Sequence, residues 1–202
     1  MKNLGILRFT QNDYLITMSR EKSLELLKKY IKNENLFRHG LAVEAVMKKL
    51  CQHFGEEERL EKWMLAGLLH DMDWEITKDH PEQHAQKAAE ILEKEGYDPE
   101  IIRAIKVHNH TLGLSLETLM EKALFCAEEL TGLITACALV NPEKLSGVKI
   151  LSVLKKFKEP AFAKGVNREI ISQSQELIGL SMEELMGLSI DAMIEIKDQL
   201  GL

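Results

Sequence analysis

From residue 19 to residue 200 apolar side chains return every three or four positions, the spacing that lines one face of an α-helix. Read this way, helices fall at about 19–33, 35–53, 56–71, 81–95, 99–109, 115–139, 143–157, 166–178 and 182–200. The boundary residues agree. Asp98-Pro99 and Asn141-Pro142 each read as an N-cap followed by proline at the first helical position, His80-Pro81 is a similar start with a less usual cap, and Ser181-Met182-Glu183-Glu184 is a capping box. No stretch alternates with period two between turn residues. The pattern therefore predicts an all-α fold of about nine helices with short connections. The expected organisation is a single helical domain over 18–202. Its C-terminal subregion, 143–202, follows a weak division at Asn141-Pro142. The first 17 residues share no helical pattern with the rest. They read either as a short ordered extension or, if the natural start is Met18, as a stretch that is not native.

Certain polar residues fall on the apolar faces. His39 lies in the stripe Leu36, Val43, Val46, Leu50, and His70 in the stripe Trp63, Gly67, with Asp71 beside it. His84 is expected to share a face with Ala88 and Ile91, His108 with Ile101 and Ile105, and Glu128 with Leu124 and Gly132. Burying such groups without partners costs on the order of a few kcal/mol each. A lone histidine on an apolar face is usually a core residue bonded to backbone, but five helices each aiming an imidazole or carboxylate inward call for a shared explanation. One site in which four imidazoles and two carboxylates satisfy one another through metal supplies it. The donors are nitrogen and oxygen only, which suits one or two divalent ions of iron, manganese, cobalt, nickel or zinc. Six candidates exceed the four ligands of a closed structural zinc site and fit two neighbouring metals. The pair His70-Asp71 ends the run LEKWMLAGLLHD, where Met-Asp-Trp-Glu breaks the helical pattern, so it is expected at a helix C-terminus with room for substrate beyond.

Composition narrows the setting. The three cysteines (Cys51, Cys126, Cys137) have no C-x-x-C spacing, which argues against a disulfide framework and fits a reducing cytoplasm. A formal charge of -6 leaves no basic footprint for nucleic acid. No apolar run reaches membrane-span length, and the N-terminus lacks the pattern of a secretory signal. The oligomeric state stays open.

His39, then His70-Asp71, then an acid on a later helix, resembles the HD-domain metal-dependent phosphohydrolase superfamily. The stretches AGLLHDMDWE, HPEQHAQKAAEILEKEGYDPEIIRAIKVHN, EKALFCAEELTGLI and KKFKEPAFAKGVNRE look closer still to a group of uncharacterised bacterial HD-domain proteins. The resemblance covers about residues 18–200. It implies a multi-helix HD-domain fold with metal ligands at His39, His70, Asp71 and the final acid. His84 and His108 match members with dinuclear centres, such as diadenosine tetraphosphate hydrolases and cyclic-dinucleotide phosphodiesterases, in which Asp71 would bridge the metals. One position departs: the final ligand is normally Asp, and the matching residue here is Glu128. Glu129 could compete for the role, but it lies about 100° further round the helix.

The remaining candidates sit around that centre. Asp73, Trp74, Glu75 and Lys78 are expected at the mouth, Asp73 to position water or brace a ligand histidine. The bland reading of the same stretch is an ordinary polar loop. His110 is placed to touch phosphate or protonate a leaving oxygen, or simply to lie on the surface. In the basic segment 149–168, Lys156 and Arg168 are the candidates for phosphate contact, against the plain reading of a solvated charge run. His53 and His80 read as structural, and Thr131-Gly132 as a close helix contact. The function expected is metal-dependent hydrolysis of a small phosphorylated metabolite, foremost a nucleotide, by attack of a metal-bound hydroxide, with Asp71 and Asp73 as catalytic residues. Two alternatives stand beside it: a metal- or nucleotide-binding regulatory module without turnover, and an oxygenase using two irons.

Overall fold

A computed structural model describes residues 19–202, so the expected extension at 1–17 lies outside the described residues. Helix α1 (Arg20–Tyr30) starts at Ser19, whose hydroxyl accepts the Lys22 amide. Then follow α2 (Glu34–His53), α3 (Leu60–Leu69), α4 (Trp74–Thr77), α5 (Gln86–Glu95), α6 (Pro99–His108) and α7 (Leu119–Leu139). The C-terminal part adds α8 (Ile150–Phe157), α9 (Arg168–Ser172), α10 (Ser174–Ile178), α11 (Met182–Glu195) and α12 (Lys197–Leu200). Among the described residues there is no strand. No helix there is long and apolar enough to cross a membrane.

The all-α expectation holds, with the segments cut more finely than their periodicity suggested. The expected helix 81–95 is a 3-10 turn over Pro81–Gln83, a break, and then α5. The break is Ala85, whose φ of 65° is left-handed and costs an L-residue strain. His84 therefore sits in a connection and not on a helix face. The expected helix 143–157 begins only at Ile150. Asn141 caps a turn by accepting the Glu143 amide, and a 3-10 turn over Lys144–Gly147 follows. Helix breaks at Gln173 and Ile196 divide 166–178 and 182–200 in two. Asp98 accepts the Glu100 amide ahead of Pro99, and Ser181 and Glu184 close their capping box.

Helix α2 runs through the middle, against α3, α7, α11 and α12. Its buried side chains Met47 and Leu50 join Trp63 and Leu68 of α3 and Leu124, Leu130 and Leu133 of α7 in the core. Each such side chain contributes about 1.5–3 kcal/mol by burial. The α2–α3 crossing is set by two glycines. A Cβ on Gly40 would lie 2.8 Å from the Leu68 carbonyl oxygen, and one on Gly67 would lie 2.8 Å from that of Val43. The backbones touch because neither position carries a side chain. This contact brings the N-terminal half of α2, with His39, beside the end of α3, with His70.

Candidate metal centre

Helix α3 ends at Leu69, and His70 is its C-cap residue. The chain then turns: the Met72 amide donates to the Leu69 carbonyl and that of Trp74 to the Asp71 carbonyl. The turn aims Asp71 across the helix end toward imidazoles from three other places. His39 comes from α2, His84 from the connection before α5, and His108 is the last residue of α6.

Asp71 is the centre of the arrangement. Its Oδ2 lies 3.5 Å from His70 Nε2 and 3.9 Å from His39 Nε2. Its Oδ1 lies 3.3 Å from His84 Nε2 and 3.6 Å from His108 Nε2. Each carboxylate oxygen thus faces two imidazoles, and two groups result, His39–His70–Asp71 and Asp71–His84–His108. Within each group the donor atoms lie inside 4.8 Å of one another.

The opposite ring nitrogens fix the orientation. His70 Nδ1 donates to the Gly67 carbonyl at 2.8 Å, His108 Nδ1 to that of Ile105, and His84 Nδ1 to Asp73 Oδ1 at 2.8 Å. On His70 and His108 the protonated Nδ1 leaves Nε2 its lone pair, turned inward. The Nε2 of His70 is buried and has no hydrogen-bond partner. An orphaned acceptor inside a cluster of nitrogen and oxygen donors is the feature a divalent cation would satisfy.

The electrostatics divide the imidazoles: His39 and His108 are held neutral, whereas His84 is drawn toward its charged form. Burial works against charge on Asp71, yet His70, His108 and His84 hold its carboxyl well below the usual range. Burial, with His70 beside it, pushes His39 down to about 4. Burial also lowers His108, against the pull of Asp71. On His84 burial is outweighed by Asp71 and Asp73, which raise it to about 9. Glu128 is pushed well above the carboxylate range by burial, with Glu129 and Asp71 adding to it.

The cleft over the centre is lined by Asp71, Trp74, His84, His108, His110 and the two glutamates Glu128 and Glu129, among others, and has a volume of about 280 Å3. Glu128 lines it without entering either group of three. Glu129 accepts the Asn167 amide at 2.7 Å, and burial raises its pKa. His110 is exposed at the rim. Asp73 is fully buried behind His84, and its second oxygen accepts the Ala88 amide at 2.9 Å. Its place is thus against the imidazole and the first turn of α5, and not in the open mouth.

Other candidates are not brought to the cleft. Glu75 accepts the amides of Lys32 and Asn33 and tethers the α1–α2 turn. Lys78 is exposed beyond α4 and is not among the cleft residues. Lys156 pairs with Glu159 at 2.7 Å and lies over the Phe162 ring. Arg168 donates to the carbonyls of Phe157, Glu159, Phe162, Ala163 and Val166, so its guanidinium holds the loop between α8 and α9. Asn109 was not singled out in the sequence, although it follows His108 directly. Its Nδ2 donates to the His84 carbonyl at 3.0 Å and its Oδ1 accepts from Thr111, which ties the His84 connection to the end of α6.

The chain belongs to the HD domain family, whose model matches residues 36–157. That membership places it in the metal-dependent phosphohydrolase superfamily, whose HD domains bind divalent metals. Curated relatives include ribonuclease Y of a Sulfurovum species, 29% identical over 96 residues, covering 48% of this chain and 18% of the relative. Ribonuclease Y of Campylobacter concisus and that of Campylobacter curvus match with the same coverage at 30% and 31% identity. The chain thus spans less than a fifth of the length of these relatives. No solved structure gives a significant match.

Proposed function

We propose that the chain is a hydrolase of a small phosphorylated metabolite, foremost a nucleotide, working in the cytoplasm with one or two divalent ions. The observation that carries this reading is Asp71, with two imidazole Nε2 atoms facing each of its carboxylate oxygens. His39, His70 and Asp71 would hold one ion, and Asp71, His84 and His108 the other, with Glu128 completing the set from the cleft wall. Bound ions supply Lewis acidity toward a phosphoryl oxygen and an activated water at neutral pH. The chain's own residues do the rest. The Nδ1 bonds of His70, His84 and His108 hold their rings in one orientation, and Asp73 and Asn109 lock the His84 connection. His110 at the rim is placed to give a proton to the leaving oxygen. Residues 18–202 read as one unit, because α11 of the C-terminal subregion packs on α2 and α7.

A second reading, a metal-binding module without turnover, draws on Glu128. It stands where the superfamily has Asp, and it lies outside both groups of three. Metal-loaded protein assayed against a broad phosphoester panel tests the first reading, which expects turnover. An inert wild type that gains activity in Glu128→Asp supports the second.

A further inference from the structure

A second cavity adjoins the histidine cluster. It has a volume of about 210 Å3 and is lined by Arg38, His39, Ala42, Gly132, Thr135 and Leu139, among others. It shares no lining residue with the cleft that holds Asp71, His84, His108 and Glu128. Both border the cluster: His39 of one stands 3.9 Å from Asp71 of the other. They also run end to end along one face of α7. Glu128 walls the cleft, and Gly132, Thr135 and Leu139 follow at spacings of four, three and four along the second cavity.

Gly132 is not there for helix packing, contrary to the expectation from Thr131-Gly132. A Cβ added to it would meet nothing nearer than Val166 Cγ2 at 3.6 Å. Its backbone is ordinary α-helix, where glycine costs about 1 kcal/mol relative to alanine. Glycine here leaves open the space beside His39. Among the described residues lining the two cavities Arg38 is the one lysine or arginine, and its guanidinium already pairs with Glu34. A second phosphate with its charges would find little to neutralise it. An uncharged substituent fits the small, partly apolar walls.

Building on the phosphohydrolase reading, we propose that the His39-side cavity seats the second substituent of a phosphodiester, the first lying in the cleft under Trp74 and His110. A phosphorus atom at the cluster has two cavities around it, and a monoester fills one of them. Hydrolysis adds water across one ester bond. A new P–O bond forms from water, the P–O bond to the leaving alcohol breaks, and a proton passes to that oxygen. The products are a phosphomonoester and an alcohol.

The test compares bis(p-nitrophenyl) phosphate with p-nitrophenyl phosphate on metal-loaded protein. It uses wild type, Gly132→Leu and Thr135→Phe, with metal content counted in each. The wild type is expected to favour the diester in kcat/KM, and each variant to lower the diester-to-monoester ratio about tenfold or more by filling the cavity. Binding without turnover is read by calorimetry with diphenylphosphinate, whose P–C bonds do not hydrolyse, and with phenylphosphonate. The variants are expected to weaken the first about tenfold more than the second. A wild type that prefers the monoester, or ratios unmoved in folded, metal-loaded variants, overturns the proposal and leaves the phosphohydrolase reading standing. Hydrolysis of neither ester, with diphenylphosphinate bound no better by wild type than by the variants, overturns the proposal, and the phosphohydrolase reading then stands or falls on the broad phosphoester panel.

Discussion

Asp73 accepts the Nδ1–H of His84 at 2.8 Å from a position with no solvent exposure, and with its other oxygen it holds the Ala88 amide of α5. One carboxylate thus orients an imidazole and satisfies a free amide at a helix start that Ala85 cannot cap. The first consequence is for Asp73→Asn. The variant keeps the shape but loses the charge that orients His84. Loss of such a partner typically costs 10–100-fold in metal affinity. Titration of the metal-free protein with Zn2+ or Mn2+ is expected to show that loss at one site of two, with helix content retained. Unchanged affinity at both sites would show that Asp73 serves the fold alone.

The α2–α3 crossing makes a second prediction. In Gly67→Ala the new methyl group would lie 2.8 Å from the Val43 carbonyl oxygen and 3.0 Å from the Glu44 backbone. Backbone cannot step aside as a flexible side chain does, so the helices must separate. Overpacking of this kind costs about 1–3 kcal/mol. Urea denaturation is expected to show that loss, together with weaker metal binding, because His39 and His70 are carried by the separating helices. Gly132→Ala, where the space is open, is the control and is expected to hold its stability or gain some.

Arg168 makes the third. Its five carbonyl acceptors all belong to the segment from Phe157 to Val166. Glu159 and Ala163 also accept backbone amides, from Phe162 and Val166, so Arg168→Ala strips the donor from the Phe157, Phe162 and Val166 carbonyls and is expected to cost about 1–3 kcal/mol. Arg168→Lys does not restore it, since a single ammonium cannot reproduce the planar fork. Thermal melting of both variants checks this. If Arg168 were instead a phosphate contact, stability would be held and the KM for phosphoesters would rise.

Much of the architecture was legible because helical periodicity reports burial, and burial is what places His39, His70, Asp71 and His108 in one interior. His84 was found by an argument that does not describe it. The face shared with Ala88 and Ile91 does not exist, since the left-handed Ala85 separates His84 from α5. Short-range breaks of this kind depend on tertiary partners, here Asp73 and Asn109, that local spacing does not reveal. The basic segment was the least legible part. A run of lysines and arginines shows charge and not direction, and Arg168 turns inward to its own loop while Lys156 pairs with Glu159. Gly40 and Gly67 carried a signal that went unused: glycines on the apolar stripes of successive helices mark a close crossing.

The central claim is that Asp71 joins two metal positions, and metal analysis of purified protein tests it most directly. Wild type is expected to hold about two divalent ions per chain, and Asp71→Ala close to none, because each group of three loses its shared carboxylate. Chelation of the wild type should lower its melting temperature and readdition of the metal restore it, since an ion at 100 times its Kd stabilises by about 2.7 kcal/mol. A wild type that takes up no divalent ion under any loading condition, or an Asp71→Ala variant that binds as many ions as the wild type, would contradict the account.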